Sequence, residues 1–319
     1  MINYFKQSAL TKLMIQSVFG TEAYLKTQSE IYGGISSDNI KLTFYLKSAL
    51  GINWCTFTSV KTNDTLTEEN YNKEIEEILF YLKSKKSIAF ITCPPSYLIF
   101  PFPYKKGENA EFGTVKINLK NSEEDIFKDL HGKHRNVIRK AEKDGLKVEF
   151  GKHLQQTCYK LIQETLKREN VFFESLDEFN RICEALKEQV QFFVVKKDTQ
   201  VQGVAVIPFD SNDAYYLWGG SIKGTSAGAM NFMHWKVIQY FKEKGVLNYD
   251  FVGVRLNPAK DSKLNGLKRF KTRFGGNVEK GHLWKVSLKP IPTLVFNLLY
   301  LIKTRSKPSD IIESIINSK

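Results

Sequence analysis

The helix and strand patterns of the sequence predict an α/β (α+β) protein in which mixed sheets are flanked by helices. Apolar residues at helical spacing alternate with short β-rich runs in both halves of the chain, which suggests a duplicated unit although no sequence repeat is visible. The length of 319 residues fits two domains of ordinary size. An apolar content of 42% with 25% charged residues is typical of a soluble globular protein.

The first half of the sequence predicts a hairpin followed by further strands and helices. Residues 31–35 and 40–46 are β-rich and flank a polar turn cluster, which is typical of a hairpin. Ser122 is a candidate N-cap with Asp125 in the first turn of its helix, and Gly145 ends that helical region. The remaining predicted elements are a helix at 67–83 and strands at 52–57, 87–92, 113–119 and 146–150.

The second half repeats this alternation and contains a loop of small residues. The loop, at residues 219–229, leads into a predicted helix, where backbone N–H groups and the helix dipole favour an anion. An ordinary flexible loop is the alternative. The predicted elements are helices at 154–168, 175–188 and 229–244, and strands at 191–196, 201–209, 214–219, 249–254 and 283–288.

The most informative stretch is a basic segment at residues 267–276. Phe270 and Phe274 are four residues apart and share one face of a short helix, which two glycines then end. One interpretation is a solvated basic helix on an aromatic anchor. The other is an electropositive wall against which a phosphate-bearing or oxyanion-forming substrate reacts. The cations of the segment are Lys268, Arg269, Lys271 and Arg273.

A second basic segment lies at residues 133–145. Arg135, Arg139 and Lys143 recur at four-residue steps on one outer face, a repulsive arrangement that does not favour the helix itself. A solvated helix surface is one explanation. Cations without interleaved acids favour the other, which is binding of an anion, with Lys133 and Lys140 as further candidates.

The charge balance and the cysteines limit the class of protein. The sequence has 47 Lys and Arg against 34 Asp and Glu, a formal charge of +13 that favours nucleic acid, a phosphorylated substrate or an anionic membrane surface as partner. The four cysteines show no metal-ligand spacing, so we expect reduced core residues and no metal site. The N-terminal residues 1–6 lack the pattern of a secretion signal, and a cytoplasmic protein is expected.

The C-terminal tail departs from the α/β pattern. Residues 291–302 are nearly all apolar, follow Lys289 and precede Lys303 and Arg305. This stretch is too short to span a bilayer. Two interpretations stay open: a helix that packs on the protein's own core, or an interfacial helix held by its basic flanks.

Three segments together resemble the FemABX-type aminoacyltransferases, within the GNAT acyltransferase superfamily. Residues 133–148 are similar to that family's R-N-x-I-R-K-A-x-K-x-G-V stretch. Residues 249–253 resemble its Y-D-x-x-G strand, and residues 266–276 its G-[IL]-x-x-F-K-x-x-F-G-G segment. The spacings also fit, and the resemblance covers roughly residues 113–288.

The resemblance implies tandem GNAT-like acyltransferase domains. The expected division is a first domain at 1–150, a second domain with the acyl-transfer site at 151–288, and a helical tail at 289–319 that lies on the first domain or at the membrane surface. It also implies transfer of an aminoacyl group from aminoacyl-tRNA to an amine of a lipid-linked or nucleotide-linked cell-wall precursor of the peptidoglycan bridge. No separate cofactor is expected, and peripheral contact with the inner membrane is possible.

The chemistry of such a transfer identifies candidate site residues. An amine that attacks an ester or thioester carbonyl creates an oxyanion, which a fixed cation or aimed N–H groups must stabilise. Lys271 is the candidate cation, and the resemblance places Phe270 beside the reaction centre. Asp250 is either a base for the amine or a structural residue at a strand end. Tyr216 and Trp218 either line the acceptor channel or pack in the core.

Two other functions compete with this one. The first is an acyl-CoA-dependent N-acyltransferase of polysaccharide biosynthesis. The loop at 219–229 has glycines but lacks the first Arg or Gln of the acyl-CoA pattern, which argues against it. The second is a non-catalytic basic module that binds RNA or a membrane.

Overall fold

Helices and strands alternate along the chain in the computed structural model, which describes residues 2–5, 17–305 and 310–318. The strands of that part are β1 (Asn3–Phe5), β2 (Ile31–Ser36), β3 (Ile40–Ala49), β4 (Ile52–Thr62), β5 (Ile88–Ile91), β6 (Glu108–Asn118), β7 (Leu146–Phe150), β8 (Val190–Lys197), β9 (Gln200–Pro208), β10 (Asp213–Tyr215), β11 (Trp218–Ser221), β12 (Asn248–Asp250) and β13 (Asn277–Ser287). The helices are α1 (Glu22–Gln28), α2 (Glu68–Lys85), α3 (Glu123–Asp129), α4 (Gly132–Lys143), α5 (Gln155–Arg168), α6 (Leu176–Leu186), α7 (Ala229–Glu243), α8 (Lys263–Thr272), α9 (Pro290–Thr304) and α10 (Ile311–Ile316). The predicted α/β class with sheets flanked by helices is confirmed.

Two compact units divide the chain, and both are discontinuous in sequence. The second unit comprises Thr114–Val252 and Gly266–Glu279, and the first comprises the other described residues. These limits differ from the predicted boundaries at residues 150 and 288. One reason is that β7 pairs antiparallel with β8, from Leu146 opposite Lys197 to Phe150 opposite Phe193, so residues 146–150 belong to the second unit.

The first unit is built around a meander of three strands. Strands β2, β3 and β4 pair antiparallel in order, which confirms the predicted hairpin. Helix α2 then connects β4 to β5, which pair parallel, and β5 pairs antiparallel with the end of β13. Helix α2 buries the residues of one face because they recur at helical spacing, and these are Tyr71, Ile75, Ile78, Leu79 and Leu82.

The second unit contains a four-stranded antiparallel sheet in the order β11-β9-β8-β7. Strand β12 pairs separately, antiparallel with residues 116–118 of β6 and parallel with β10. The residues that helix α7 buries include Phe232, Met233, Val237, Ile238 and Phe241. The end of β12 and the C-terminal end of α8 carry the residues of the candidate site.

Several predicted elements have different limits in the structure. The predicted strand at 214–219 is two strands, because β10 pairs with β12 whereas β11 pairs with β9. The helical region that begins after Ser122 is also two helices, because Leu130 and His131 adopt extended or non-helical backbone angles between α3 and α4. Strand β12 ends at Asp250, earlier than predicted, because the chain turns there.

The C-terminal tail belongs to the first unit. Helix α10 buries Ile312, and Lys285 of β13 forms ion pairs with Asp310 (2.8 Å) and Glu313 (2.6 Å). Helix α9 contains no buried residue. Residues 306–309 and 319 of the predicted tail, and 1 and 6–16 of the N-terminal region, lie outside the described residues. Within the described ranges, no helix is both long and apolar enough to cross a membrane.

We expect Tyr71→Phe to lower the free energy of unfolding by about 1–3 kcal/mol, because it leaves a buried donor without its acceptor. The indole N–H of Trp284 donates to the Tyr71 hydroxyl at 2.9 Å, and both side chains are fully buried. Urea denaturation measures the change.

Tyr104→Phe is the matched control. The Tyr104 ring also packs on Trp284, at 5.4 Å between centroids, and within the described part of the chain its hydroxyl has no hydrogen bond. An equal loss of stability in both variants would show that the hydrogen bond does not matter.

Candidate active site

Helix α8 buries a lysine in a segment that also carries two aromatic side chains. Lys271 is 6% exposed and donates from Nζ to the carbonyl oxygen of Val252. Phe270 and Phe274 lie on either side of it in sequence, with their rings 5.3 Å apart in an edge-to-face arrangement. Gly275, at φ +80°, ends the segment as predicted, because glycine adopts this left-handed conformation without strain. A Cβ there would also lie 2.5 Å from the Asp129 carbonyl oxygen, so no other residue fits.

The carbonyl that accepts from Lys271 belongs to a turn shaped by Asp250. This carboxylate is 3% exposed, and its Oδ1 accepts from the Val252 N–H at 2.7 Å and from the Thr114 hydroxyl. Val252 has a φ of 50°, a conformation that β-branched residues rarely adopt and that costs about 1–3 kcal/mol. The hydrogen bonds of Asp250 therefore support a strained turn whose carbonyl is held by Lys271.

A partly buried cluster of charges lies beside this turn. Lys116 is within salt-bridge distance of Asp213 (3.2 Å), Glu279 (3.6 Å) and the Oδ2 of Asp250 (3.8 Å). Burial alone would lower the pKa of Lys116, but the three carboxylates together raise it. Lys116 is therefore a fixed cation that neutralises part of the charge around Asp250.

Burial shifts the pKa values of Asp250 and Lys271 toward 7. Burial raises the pKa of Asp250 to about 6, against the opposing effects of Lys116 and the two hydrogen bonds. Burial lowers the pKa of Lys271 to about 8, and the Asp250 charge partly offsets this. Near pH 7 both groups are therefore mostly charged, so the site holds an ammonium group largely removed from water.

Two buried histidines, which the sequence analysis did not single out, lie close to the residues of this site. His234 of α7 is fully buried, and its Nδ1 lies 2.8 Å from the Tyr249 hydroxyl. Burial and the nearby Lys271 charge lower its pKa to about 3, and burial and the Arg273 charge lower that of His134 to about 4. Both are neutral at pH 7. The sequence could have indicated His234, because this histidine lies between apolar residues on the inner face of a predicted helix, at Met233-His234-Trp235.

The two basic segments of the sequence are neighbours in the second unit. The His131 N–H at the start of α4 donates to the Arg273 carbonyl at 2.8 Å, and the His134 ring lies 4.7 Å from that of Phe274. The structure thus brings together residues 133–145 and 267–276. Of the predicted anion-binding residues, Lys133, Arg139, Lys140 and Arg269 are exposed, and Arg135, Lys268 and Arg273 are half-buried.

Two of these cations also have structural contacts. Arg135 donates from Nη1 to the carbonyls of Lys128 (2.6 Å) and Leu130 (2.5 Å), at the C-terminal end of α3. The Arg139 guanidinium lies 5.2 Å from the ring centre of Phe127. Arg135 therefore helps to join α3 to α4, a role that the four-residue spacing does not reveal.

The structure separates the two predicted channel residues. The Tyr216 ring lies 4.4 Å from that of His234, and its N–H donates to the Asp250 carbonyl at 2.8 Å. Trp218 instead packs on Phe173 and Phe179, with centroids 6.2 and 5.5 Å away. Tyr216 therefore lies beside the Lys271 site, whereas Trp218 belongs to an aromatic cluster next to α6.

The small-residue loop before α7 already uses part of its hydrogen-bonding capacity. The Ser226 N–H donates to the Gln202 side chain at 2.8 Å. Gly228 adopts φ +80°, and a Cβ there would lie 2.6 Å from the Val137 carbonyl oxygen, so α4 packs closely against the start of α7. Both contacts reduce the room and the donors for a pyrophosphate at this loop.

The described residues do not form a metal-binding site. Across 2–5, 17–305 and 310–318, no group of three or more His, Cys, Asp or Glu is placed to hold a metal ion. The four cysteines are unpaired, and burial raises the pKa of Cys158 to about 12, which makes its thiol unreactive.

We expect Lys271→Met to remove a pH-dependent part of the protein's stability. Because the folded-state pKa of about 8 lies below the ordinary lysine pKa of 10.5, the folded state binds fewer protons than the unfolded state between these values. The stability of the unsubstituted protein should therefore rise by about 2 kcal/mol between pH 7.5 and 9.5 relative to Lys271→Met. Chemical denaturation of both proteins at the two pH values measures the difference.

Lys160→Met, at an exposed position on α5, is the control for this comparison. Its stability should change with pH as that of the unsubstituted protein does. A difference between Lys271→Met and the unsubstituted protein that stays constant from pH 7.5 to 9.5 would contradict a desolvated ammonium.

Comparison with known proteins places these segments in a family. The sequence model of the FemAB family matches residues 100–203 and 196–282, which together are more than half of the chain. The lipid II:glycine glycyltransferase of Staphylococcus saprophyticus is 28% identical over 194 residues, which are 59% of this chain and 41% of that protein. The matched region is therefore less than half the length of this curated relative.

Solved structures share the fold. The crystal structure of FemX has a TM-score of 0.67 at 16% identity, and the match covers 92% of this chain and 99% of that one. A tandem GNAT protein from the clavulanic acid biosynthesis pathway has a TM-score of 0.51 at 6% identity, with 90% and 98% covered. These similarities confirm the predicted tandem GNAT-like fold. The match to the sequence model shows that the chain belongs to the FemAB family.

Proposed function

We propose that this protein is an aminoacyltransferase that transfers an aminoacyl group from aminoacyl-tRNA to an amine of a lipid-linked cell-wall precursor. The observation that carries the proposal is the buried ammonium of Lys271, on the Val252 carbonyl and inside the region that matches the FemAB family. The relatives that match the same region are named lipid II:glycine glycyltransferases, and that name supports a lipid-linked acceptor.

Lys271 supplies the charge that the reaction needs. The acceptor amine attacks the ester carbonyl of the donor, a C–N bond forms, and the carbonyl oxygen becomes an oxyanion. When that intermediate collapses, the C–O bond to the tRNA ribose breaks, and the proton lost by the amine passes to the departing hydroxyl. A buried ammonium stabilises the oxyanion more strongly than an exposed one, because water does not screen it.

Asp250 acts through the turn in this mechanism. Its Oδ1 already accepts two hydrogen bonds, and its Oδ2 faces Lys116, so both oxygens have partners in the folded protein. Its contact with the Val252 N–H fixes the carbonyl that orients Lys271. We therefore assign Asp250 a positioning role in place of the alternative role as a base. Phe270 and Phe274 anchor this part of the chain by packing on the His234 ring, with centroids 5.6 and 5.5 Å away.

The donor assignment rests on the two basic segments. Residues 133–145 and 267–276 carry exposed cations and meet at the Arg273 carbonyl, so they offer one basic region to a polyanion. The alternative donor, acyl-CoA, needs free amides and room at the loop before α7, where the Ser226 N–H already donates to Gln202 and Gly228 packs closely on Val137. A charged tRNA therefore fits the described residues better than acyl-CoA.

We expect Lys271→Met to reduce turnover by about 100- to 1000-fold, the usual cost of losing one oxyanion-stabilising group. The assay follows labelled amino acid from charged tRNA into a lipid-linked peptide carrying a free amine. Lys160→Met should keep the turnover of the unsubstituted protein.

Calorimetry at two salt concentrations identifies the donor independently of turnover. Charged tRNA should bind with an affinity that falls as salt rises, and acetyl-CoA should give no heat. Binding of acetyl-CoA without tRNA would move the protein to the N-acyltransferases of polysaccharide biosynthesis. Full activity of Lys271→Met would overturn the assignment of the oxyanion role, and tRNA binding without any transfer would favour a non-catalytic module.

A further inference from the structure

Helix α9 presents its apolar face outward. Apart from Tyr300, its exposed large apolar side chains recur at steps of three and four residues and so form one stripe along the helix, which we call the outer stripe; it consists of Ile291, Leu294, Val295, Leu298, Leu299 and Ile302. Ile291 is 77% exposed and Ile302 67%. A surface helix of a globular protein normally turns such a stripe toward the core. The outer stripe is therefore an interaction surface.

The opposite face of α9 holds the helix on the first unit. Phe296 packs between Trp54 and Phe90, with ring centroids 4.9 and 5.1 Å away. At the N-terminal end, the Thr293 hydroxyl contacts the carbonyls of Lys289 and Ala89. Because these contacts fix the rotation of the helix, the outer stripe faces away from the core of its own unit.

The charges on helix α9 and its flanking residues have one sign. Lys289 precedes the helix, Lys303 lies in its last turn and Arg305 follows it, and residues 289–305 contain no acid. An apolar stripe with cations at its ends matches a bilayer surface, where acyl chains take the stripe and anionic headgroups pair with the cations.

A cavity beside the helix favours lipid over a protein surface. Its volume is about 590 Å³, and its walls are mostly apolar side chains of α9, β5 and β13, among them Leu294, Leu298, Leu301, Phe90 and Val286. The three acids that also line it, Glu108, Asp310 and Glu313, all form ion pairs with Lys285. Leu294 and Leu298 belong both to the outer stripe and to this cavity, so the apolar surface is continuous. A folded partner that covered the stripe would leave the cavity unfilled, whereas flexible acyl chains can enter it.

We propose that α9 is an interfacial helix that binds an anionic bilayer surface, with the outer stripe buried among the acyl chains and the helix axis in the membrane plane. With 15 residues it is about 22 Å long, which is shorter than the hydrocarbon core. The proposal goes beyond the transfer reaction, and its test needs neither donor nor acceptor.

The test is co-sedimentation of the full chain with vesicles of phosphatidylcholine, with or without 30% phosphatidylglycerol, at low and high salt. We expect binding to the anionic vesicles that weakens with salt. Ile291→Glu/Ile302→Glu should lower the partition coefficient at least about tenfold, because it puts two charges into the apolar phase.

Leu50→Glu/Phe80→Glu is the matched control, since it replaces two exposed apolar residues of the same unit and changes the net charge equally. It should bind like the unsubstituted chain. Lys303→Gln/Arg305→Gln leaves the outer stripe intact and should lose the preference for anionic vesicles. This variant tests the proposal if Ile291→Glu/Ile302→Glu does not fold.

Three results would overturn the proposal. The first is that the unsubstituted chain does not sediment with anionic vesicles at low salt. The second is that Ile291→Glu/Ile302→Glu and Leu50→Glu/Phe80→Glu bind the vesicles equally well. The third is that the chain forms a dimer in solution, which Ile291→Glu/Ile302→Glu converts to a monomer without changing vesicle binding. The last would show that the stripe binds a second copy of the chain.

Discussion

The contact on which the candidate site depends is the hydrogen bond from the Lys271 ammonium to the Val252 carbonyl. An ammonium group loses much hydration when it is buried, so it stays charged only where acceptors and a nearby carboxylate compensate. Here one compensating group is a backbone carbonyl, which cannot move away or take the proton. The site thereby keeps a cation of fixed position in a region of low dielectric, which is the arrangement that stabilises a developing oxyanion.

The surrounding residues make that contact possible at a cost to local stability. Val252 occupies a left-handed conformation that a β-branched residue disfavours, and Asp250 offsets this by binding the Val252 N–H and the Thr114 hydroxyl. Lys116 in turn offsets the burial of Asp250. Strain and buried charge of this kind cluster at functional sites, which agrees with the proposed aminoacyl transfer.

Local patterns predicted much of this architecture. The edge-to-face contact of Phe270 and Phe274 follows from their four-residue spacing, and the end of the segment follows from Gly275. The class of the fold also followed from the alternation of helices and strands. Each of these features depends on neighbours within a few residues, so sequence periodicity is enough to predict it.

Long-range pairing determined what the sequence did not show. The division of residues 214–219 between two strand pairs depends on partners β9 and β12, and the discontinuity of the two units depends on β6 and β13, which each contribute to both. The contact between His131 and Arg273 joins segments more than a hundred residues apart. The role of Asp250 in a turn, and the neutral state of His234, follow only from burial and contacts in three dimensions.

The most direct test of this account is an NMR titration of the Lys271 side chain, with the signal assigned by comparison with Lys271→Met. We predict a pKa near 8, because burial outweighs the effect of Asp250, and a lower pKa in Asp250→Asn, where the neighbouring charge is removed. A pKa near 10.5, the ordinary value of a solvated lysine, would show that the ammonium is not buried and would contradict the proposed site.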